Sequence, residues 1–372
     1  MAKRMVGFTI AITMCMSLYI PSAYATPNMA DHQSSSIISE ASNIIGVALN
    51  EGIVPGQADN EISGLYLAED IPIYEVTSNN NLTAIDSMMY YPVVDQSNRV
   101  CGIIIARSEG TDGTYTLEYS PMFSDELNSY EQSSSEICFI FDQTNIFVYD
   151  GSTYSTILQD NIPDLSRGFL NSLDIETEQI SLSAIEAHDP LYLSVTHDPS
   201  ESGMLSVPIV EQAGWKNGCW AASSVSVGEY CGPSRGLTVD DIMEKYADGE
   251  DKTEFFYTVR TILSNEYDIE TNIHPFVTLT LTEIMENIGS GRNNGTPIVA
   301  RTSYSFNSGH IFVVCGYTAA PEPQTSYVTI MDPLADSYRI LEMEKSGGDS
   351  EFKYHTPSGN TLHIIDDYLT IA

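Results

Sequence analysis

Between residues 62 and 160 the chain alternates apolar and polar positions with a period of two. The segments "SGLYLAEDIPIYEV", "MMYYPVVDQSNRVCGIIIAR", "GTYTLEYSPMF" and "ICFIFDQTNIFVYDG" are rich in aromatic and β-branched residues, and turn-forming clusters separate them. The pattern predicts hairpins of a small antiparallel sheet. Ahead of it, "SSIISEASNIIGVALNEG" carries helical spacing and predicts a short helix over about 36–49. Periodicity weakens over 161–207, where turn residues predict a connector with "THDPSESG" as its most exposed part. Proteases nick loops of that composition.

From Val207 helical patterns come first and strand patterns later. "CWAASSVSVGEYC" is a candidate helix of small residues. "TVDDIMEKYA" follows with Thr238 as N-cap, then "EFFYTVRTILSN", then "TLTEIMENIGSG" with Thr280 and Glu283 at capping-box spacing and Gly289 as the stop. "TPIVARTSYSFNSGHIFVVCGYTA" reads as a hairpin around residues 306–309, and "TSYVTIMDPLADSYRILEME" as two further strands. Helices and strands in separate blocks predict an α+β domain.

The first residues change the picture of where the chain works. Lys3 and Arg4 precede an apolar run from Met5 to Ile20, Pro21 breaks it, and Ala23-Tyr24-Ala25 supplies a small-residue cleavage site. Residues 1–25 therefore read as a secretory signal, since Thr9, Thr13 and Ser17 dilute a run already short for a membrane span. The expected organisation is a signal over 1–25, a polar lead-in and short helix over 26–60, a β-rich domain over 61–165, a connector over 166–206 and a catalytic domain over 207–372. A net charge of −36 argues against nucleic-acid and anionic-membrane partners, which would repel it, and fits a secreted, extracellular protein, free or associated with the cell envelope. Thr26 to Ser200 holds 27 acids against three bases and the remainder 24 against ten, which places a domain junction near residue 200.

Five cysteines follow the signal segment: Cys101, Cys138, Cys219, Cys231 and Cys315. The count is too low for a disulfide scaffold and odd, so at least one thiol is free. Zinc-type spacings and HExxH are absent, and no metal or cofactor is expected. Cys101 and Cys138 lie inside strand patterns, where a buried apolar thiol is the ordinary expectation. Cys219 and Cys231, twelve apart on one helix, are separated by about 18 Å along the axis and about 120° around it, so they do not pair. Cys231 precedes Gly232-Pro233 at the helix end and reads as a packed thiol. Cys219 sits at the helix start behind a glycine, where unpaired N–H groups and the positive dipole end favour a thiolate.

A thiolate needs a base. His310 alone among the seven histidines combines a preceding glycine with a strongly apolar strand after it, in "SGHIFVVCGY". Asp332, at a strand end before Pro333 in "VTIMDP", is placed to orient the ring, although an aspartate before proline also commonly starts a turn.

"GCWAAS", "SGHIFVVCGY" and "VTIMDP", in that order, resemble the compact bacterial papain-like cysteine peptidases, in particular the staphopain-like and bacteriocin-leader-peptidase-like branches. The resemblance spans about 207–372. It implies a papain-like fold with peptide bound in a cleft, Cys219 as nucleophile, His310 as general base and then acid, and Asp332 as orienting acceptor. It also implies an oxyanion donor shortly before the cysteine, and Gln212 is the glutamine there, one position further away than the family spacing. "YYPVVDQSNRVCGIIIA" is similar to hairpins in streptopain-type propeptides, which implies that the N-terminal domain is an intramolecular inhibitor. The expected activity is a secreted cysteine endopeptidase made as a prepro-form and acting on protein or peptide. Two alternatives stand beside it: a transglutaminase-like acyltransferase, against which Phe312 stands where that class has an aromatic H-x-W partner, and a noncatalytic peptide-binding module on the same fold.

Overall fold

The structure is a computed structural model. It describes residues 30–56, 62, 64–77, 81–108, 114–131, 136–142, 145–150, 153–159, 180–181, 189–191, 201–212, 214–253, 256–289, 295–305, 308–321, 324–346, 349–355 and 362–372. The expected signal segment and most of the connector lie outside the described residues. Among the described residues no helix is long and apolar enough to cross a membrane.

The N-terminal strands do not form a separate small antiparallel domain. Leu65–Leu67, Met88–Asp95, Val100–Ser108 and Tyr115–Ser120 enter the same 13-stranded sheet as the strands of the C-terminal half. The junction is the pairing of Tyr115–Ser120 with Ser337–Glu342, where Tyr119 faces Ile340 and Glu118 faces Leu341. The remaining N-terminal strands build a second, six-stranded sheet, and within it Ile73–Val76 runs parallel to Glu136–Asp142.

The reason lies in Val100–Ser108, which is buried along almost its whole length. A strand buried on both faces reads as a continuous apolar run and needs cover on each side. Cys101, Ile104 and Ala106 pack under the helix Ala30–Asn50, which is longer than the sequence pattern suggested. Ile103 and Ile105 pack against Phe139 and Phe141 of the second sheet.

In the C-terminal half the helices fall where their caps predict. Val239–Ala247 starts from Thr238 with a complete capping box to Asp241, and Leu281–Ile288 starts from Thr280 with one to Glu283. The helix Cys219–Cys231 is almost wholly buried. Its small residues let neighbours approach: a Cβ at Gly228 would lie 2.3 Å from the Tyr267 ring of helix Phe256–Tyr267. On its other side Ser223 Oγ donates to Ile311 O at 3.2 Å, tying the helix to the strand that carries His310. None of Cys101, Cys138, Cys219, Cys231 and Cys315 takes part in a disulfide.

Candidate active site

The loop ahead of the central helix is built so that the helix start stays bare. Gly214 turns the chain with a φ of 81°, a left-handed conformation that glycine adopts without strain. Trp215 N then donates to Gln212 O at 3.0 Å and Gly218 N to Trp215 O at 3.3 Å. Asp251 holds the next residues, accepting from Lys216 N at 3.1 Å and Asn217 N at 2.8 Å. The N-cap is Gly218, with no side-chain cap, so no side chain competes for the leading N–H groups of the helix.

His310 and Asp332 come from neighbouring antiparallel strands, Ser308–Ala319 and Tyr327–Asp332, in a register that sets Val313 against Met331. The imidazole Nε2 lies 2.7 Å from Asp332 Oδ1. Cys219 lies close enough to the same ring to favour its protonated form. With Nε2 committed to Asp332, Nδ1 is the nitrogen left to exchange a proton with a thiol. All three residues are buried, Cys219 and His310 retaining only 9% and 5% exposure.

Asp332 performs the turn role and the orienting role together. Oδ1 also accepts from Leu334 N at 3.0 Å, which closes the Asp-Pro turn, while Oδ2 accepts from Tyr354 OH at 3.0 Å and from Arg339 Nη1. Burial opposes its ionisation, but the His310 and Arg339 charges and hydrogen bonds outweigh that cost and hold the carboxyl well below the usual carboxylate range. For His310 burial likewise opposes the charged form. Asp332, and after it Cys219, outweigh it and push the imidazole up to about 10.

Gln212 is buried in the loop beside the helix start. Its backbone N–H donates to Pro333 O at 3.3 Å, and a Cβ at Gly218 would lie 3.3 Å from the Gln212 Cβ. Gln212 thus adjoins both the residue before Cys219 and the turn after Asp332. A cleft of about 720 Å³ runs behind this loop, walled by Gln212, Pro333 and Tyr338 from one half and by Ile53, Phe123 and Asn128 from the other. Cys219 and His310 do not line it, whereas Gln212 does.

The sequence reading missed the support behind Asp332. Arg339 is fully buried, with Nε donating to Glu118 Oε1 at 2.6 Å and Nη2 to His355 O at 2.7 Å. Glu118 in turn accepts from Arg107 Nη1 at 2.8 Å. The available signal was the isolated cations in apolar strands, Arg107 in "GIIIAR" and Arg339 in "SYRILE". Lone charges at such positions demand buried partners.

A cysteine at an uncapped helix start, a histidine near it and a carboxylate bonded to that ring are the residue types that nucleophilic thiol chemistry uses. The model of the Peptidase_C39 like family matches residues 204–354, a stretch that contains all of these residues. The match supports a papain-like cysteine peptidase family and points to cysteine peptidase activity. No curated protein matches the chain.

Proposed function

We propose that this chain is a secreted cysteine endopeptidase that hydrolyses peptide bonds through Cys219, His310 and Asp332. The observation that carries the reading is His310, which bonds Asp332 and lies close enough to Cys219 for that residue to favour the protonated ring. The thiolate attacks the scissile carbonyl carbon and forms a C–S bond, and the carbonyl oxygen takes the negative charge. The Cys219 backbone N–H and the Gln212 side-chain amide receive that oxyanion; losing one such donor typically raises the barrier by about 3 kcal/mol. The C–N bond then breaks as protonated His310 delivers its proton to the leaving amine. Water, deprotonated by His310, attacks the thioester and regenerates the thiol. Asp332 keeps the ring oriented throughout and stays ionised. The test is hydrolysis of an unstructured protein by the chain from Thr26 after it has been cut in the connector, and by its Cys219→Ala variant cut in the same way. Activity in the first and none in the second is expected, whereas amine incorporation without hydrolysis would favour the acyltransferase alternative.

Latency is suggested by a separate observation: Ile53, Phe123 and Asn128 of the N-terminal half wall a cleft together with Gln212 and Pro333. In this reading the N-terminal half occludes substrate until the connector between about Asp189 and Val207 is cut. An assay before and after cutting at an engineered site in that segment tests it, and full activity in the uncut chain would make residues 26–200 a permanent accessory region.

A further inference from the structure

Four charged side chains follow one diagonal across four adjacent strands. Glu118 faces Ile105, two residues from Arg107, and it also faces Leu341, two residues from Arg339. Asp332 faces Ser337, again two residues from Arg339. Residues two apart on a strand share a face, so Arg107, Glu118, Arg339 and Asp332 project into one layer. Each consecutive pair is bonded, and all four are almost completely excluded from solvent. His310 extends the row at its far end through Asp332.

The alternation of sign along this row matters because the medium around it is protein. Arg339 holds Asp332 and Glu118 at once. Without Glu118 the guanidinium would bear on Asp332 alone, and the carboxylate would have less negative potential to offer the imidazole. We propose that Glu118, a residue of the N-terminal half, is a positioning residue for the peptidase site: through Arg339 it sets how strongly Asp332 holds His310 as a cation. The inference rests on the peptidase reading for its consequence in catalysis, though not for the electrostatics. It means that the N-terminal half completes the site. Cutting the connector opens access while strand Tyr115–Ser120 stays in the sheet.

The other groups facing this row are few. Tyr90 lies among Arg107, Glu118 and Arg339, and burial first of all raises its phenol far above the range in which it titrates. Tyr354 donates to Asp332 and has Arg339 4.9 Å above its ring. His355 contributes its carbonyl to Arg339, and Cys219 faces His310 from the central helix.

The experiment measures the alkaline limb of two profiles in the chain from Thr26 cut in the connector, which keeps strand Tyr115–Ser120 in the sheet: peptide hydrolysis, and alkylation of Cys219 by iodoacetamide. In Glu118→Gln both limbs should move down by about one pH unit, with kcat reduced more than KM changes. Glu118→Asp, which keeps the charge, should move them back toward wild type. Arg107→Gln removes a cation instead, so its limbs should move in the opposite direction, an outcome that general destabilisation does not produce. It also keeps the test open if Glu118→Gln fails to fold. Limbs unchanged in folded Glu118→Gln, or displaced to the same side in both variants, would overturn the proposal. If wild type alkylates as described but hydrolyses no peptide, the peptidase reading fails while the shifts in alkylation still decide the role of Glu118.

Discussion

The central helix carries a cysteine at each end, and the two ends place the same side chain in opposite chemistry. Cys219 stands at the start, behind an uncapped glycine, in contact with a histidine that a buried carboxylate keeps cationic. Cys231 stands at the last turn, half-buried, and burial alone pushes its thiol up to about 11. A thiolate is stabilised by helix N–H groups and a nearby cation, and it is disfavoured where only apolar packing surrounds it. Position along one helix therefore separates the proposed nucleophile from a packing residue.

Removing each thiol in turn should break the symmetry of the pair most visibly. Cys219→Ala is expected to abolish peptide hydrolysis, a loss of at least about a thousandfold, while Cys231→Ala keeps most of it; comparable losses in two folded variants would remove Cys219 from its assigned place. His310→Ala should fall close to Cys219→Ala in the same assay, because members of one catalytic unit do not add. Asp332→Asn should be milder, with roughly a hundredfold loss in kcat, since the amide oxygen still accepts from the ring but no longer carries the charge that holds it protonated. That variant also leaves Arg339 with one anion fewer. Breaking a buried ion pair typically costs about 3–5 kcal/mol, so thermal unfolding must be recorded beside the kinetics.

Two buried carboxylates repeat the contrast on a smaller scale. Asp332 is met by His310, Arg339 and Tyr354 and is held ionised. Glu51, just after the helix Ala30–Asn50, accepts from Thr329 Oγ1 at 2.6 Å, and its Oε1 is buried without a hydrogen-bond partner. Burial outweighs the Thr329 bond and pushes its carboxyl up to about 7. A carboxyl raised in the folded state is neutral at no cost below its unfolded value near 4.5, and stability is lost as pH rises through about 7. Glu51→Gln should therefore raise the unfolding temperature at pH 8, corresponding to about 2–3 kcal/mol, and change it little at pH 4.5. An equal effect at both pH values would contradict the assignment.

The parts of this molecule that were legible in the sequence are those fixed by neighbours in the chain. The capping boxes at Thr238 and Thr280, the limits of the helix Cys219–Cys231 and the strand that begins just before His310 follow from residues within a few positions. Cys219, His310 and Asp332 stood out because each occupies an element terminus, where a side chain can be both held and reached. What escaped the reading depends on pairing over long separations. Glu118 and Arg339 are 221 residues apart, and the strand alternation that reveals each strand contains nothing about which strand lies beside it. The continuous apolar run of Val100–Ser108 signalled burial on both faces, yet the covers, a helix and a second sheet, come from elsewhere in the chain.

The protonation state of His310 tests the account most directly. In protein labelled with ¹⁵N-histidine, with the His310 signal assigned by its disappearance in His310→Gln, the imidazole is predicted to remain doubly protonated at pH 8 in wild type and to titrate near 10. In Asp332→Asn it should lose that proton at distinctly lower pH. A neutral His310 ring at pH 8 in the wild-type chain would contradict the thiolate–imidazolium pair on which the proposed chemistry stands.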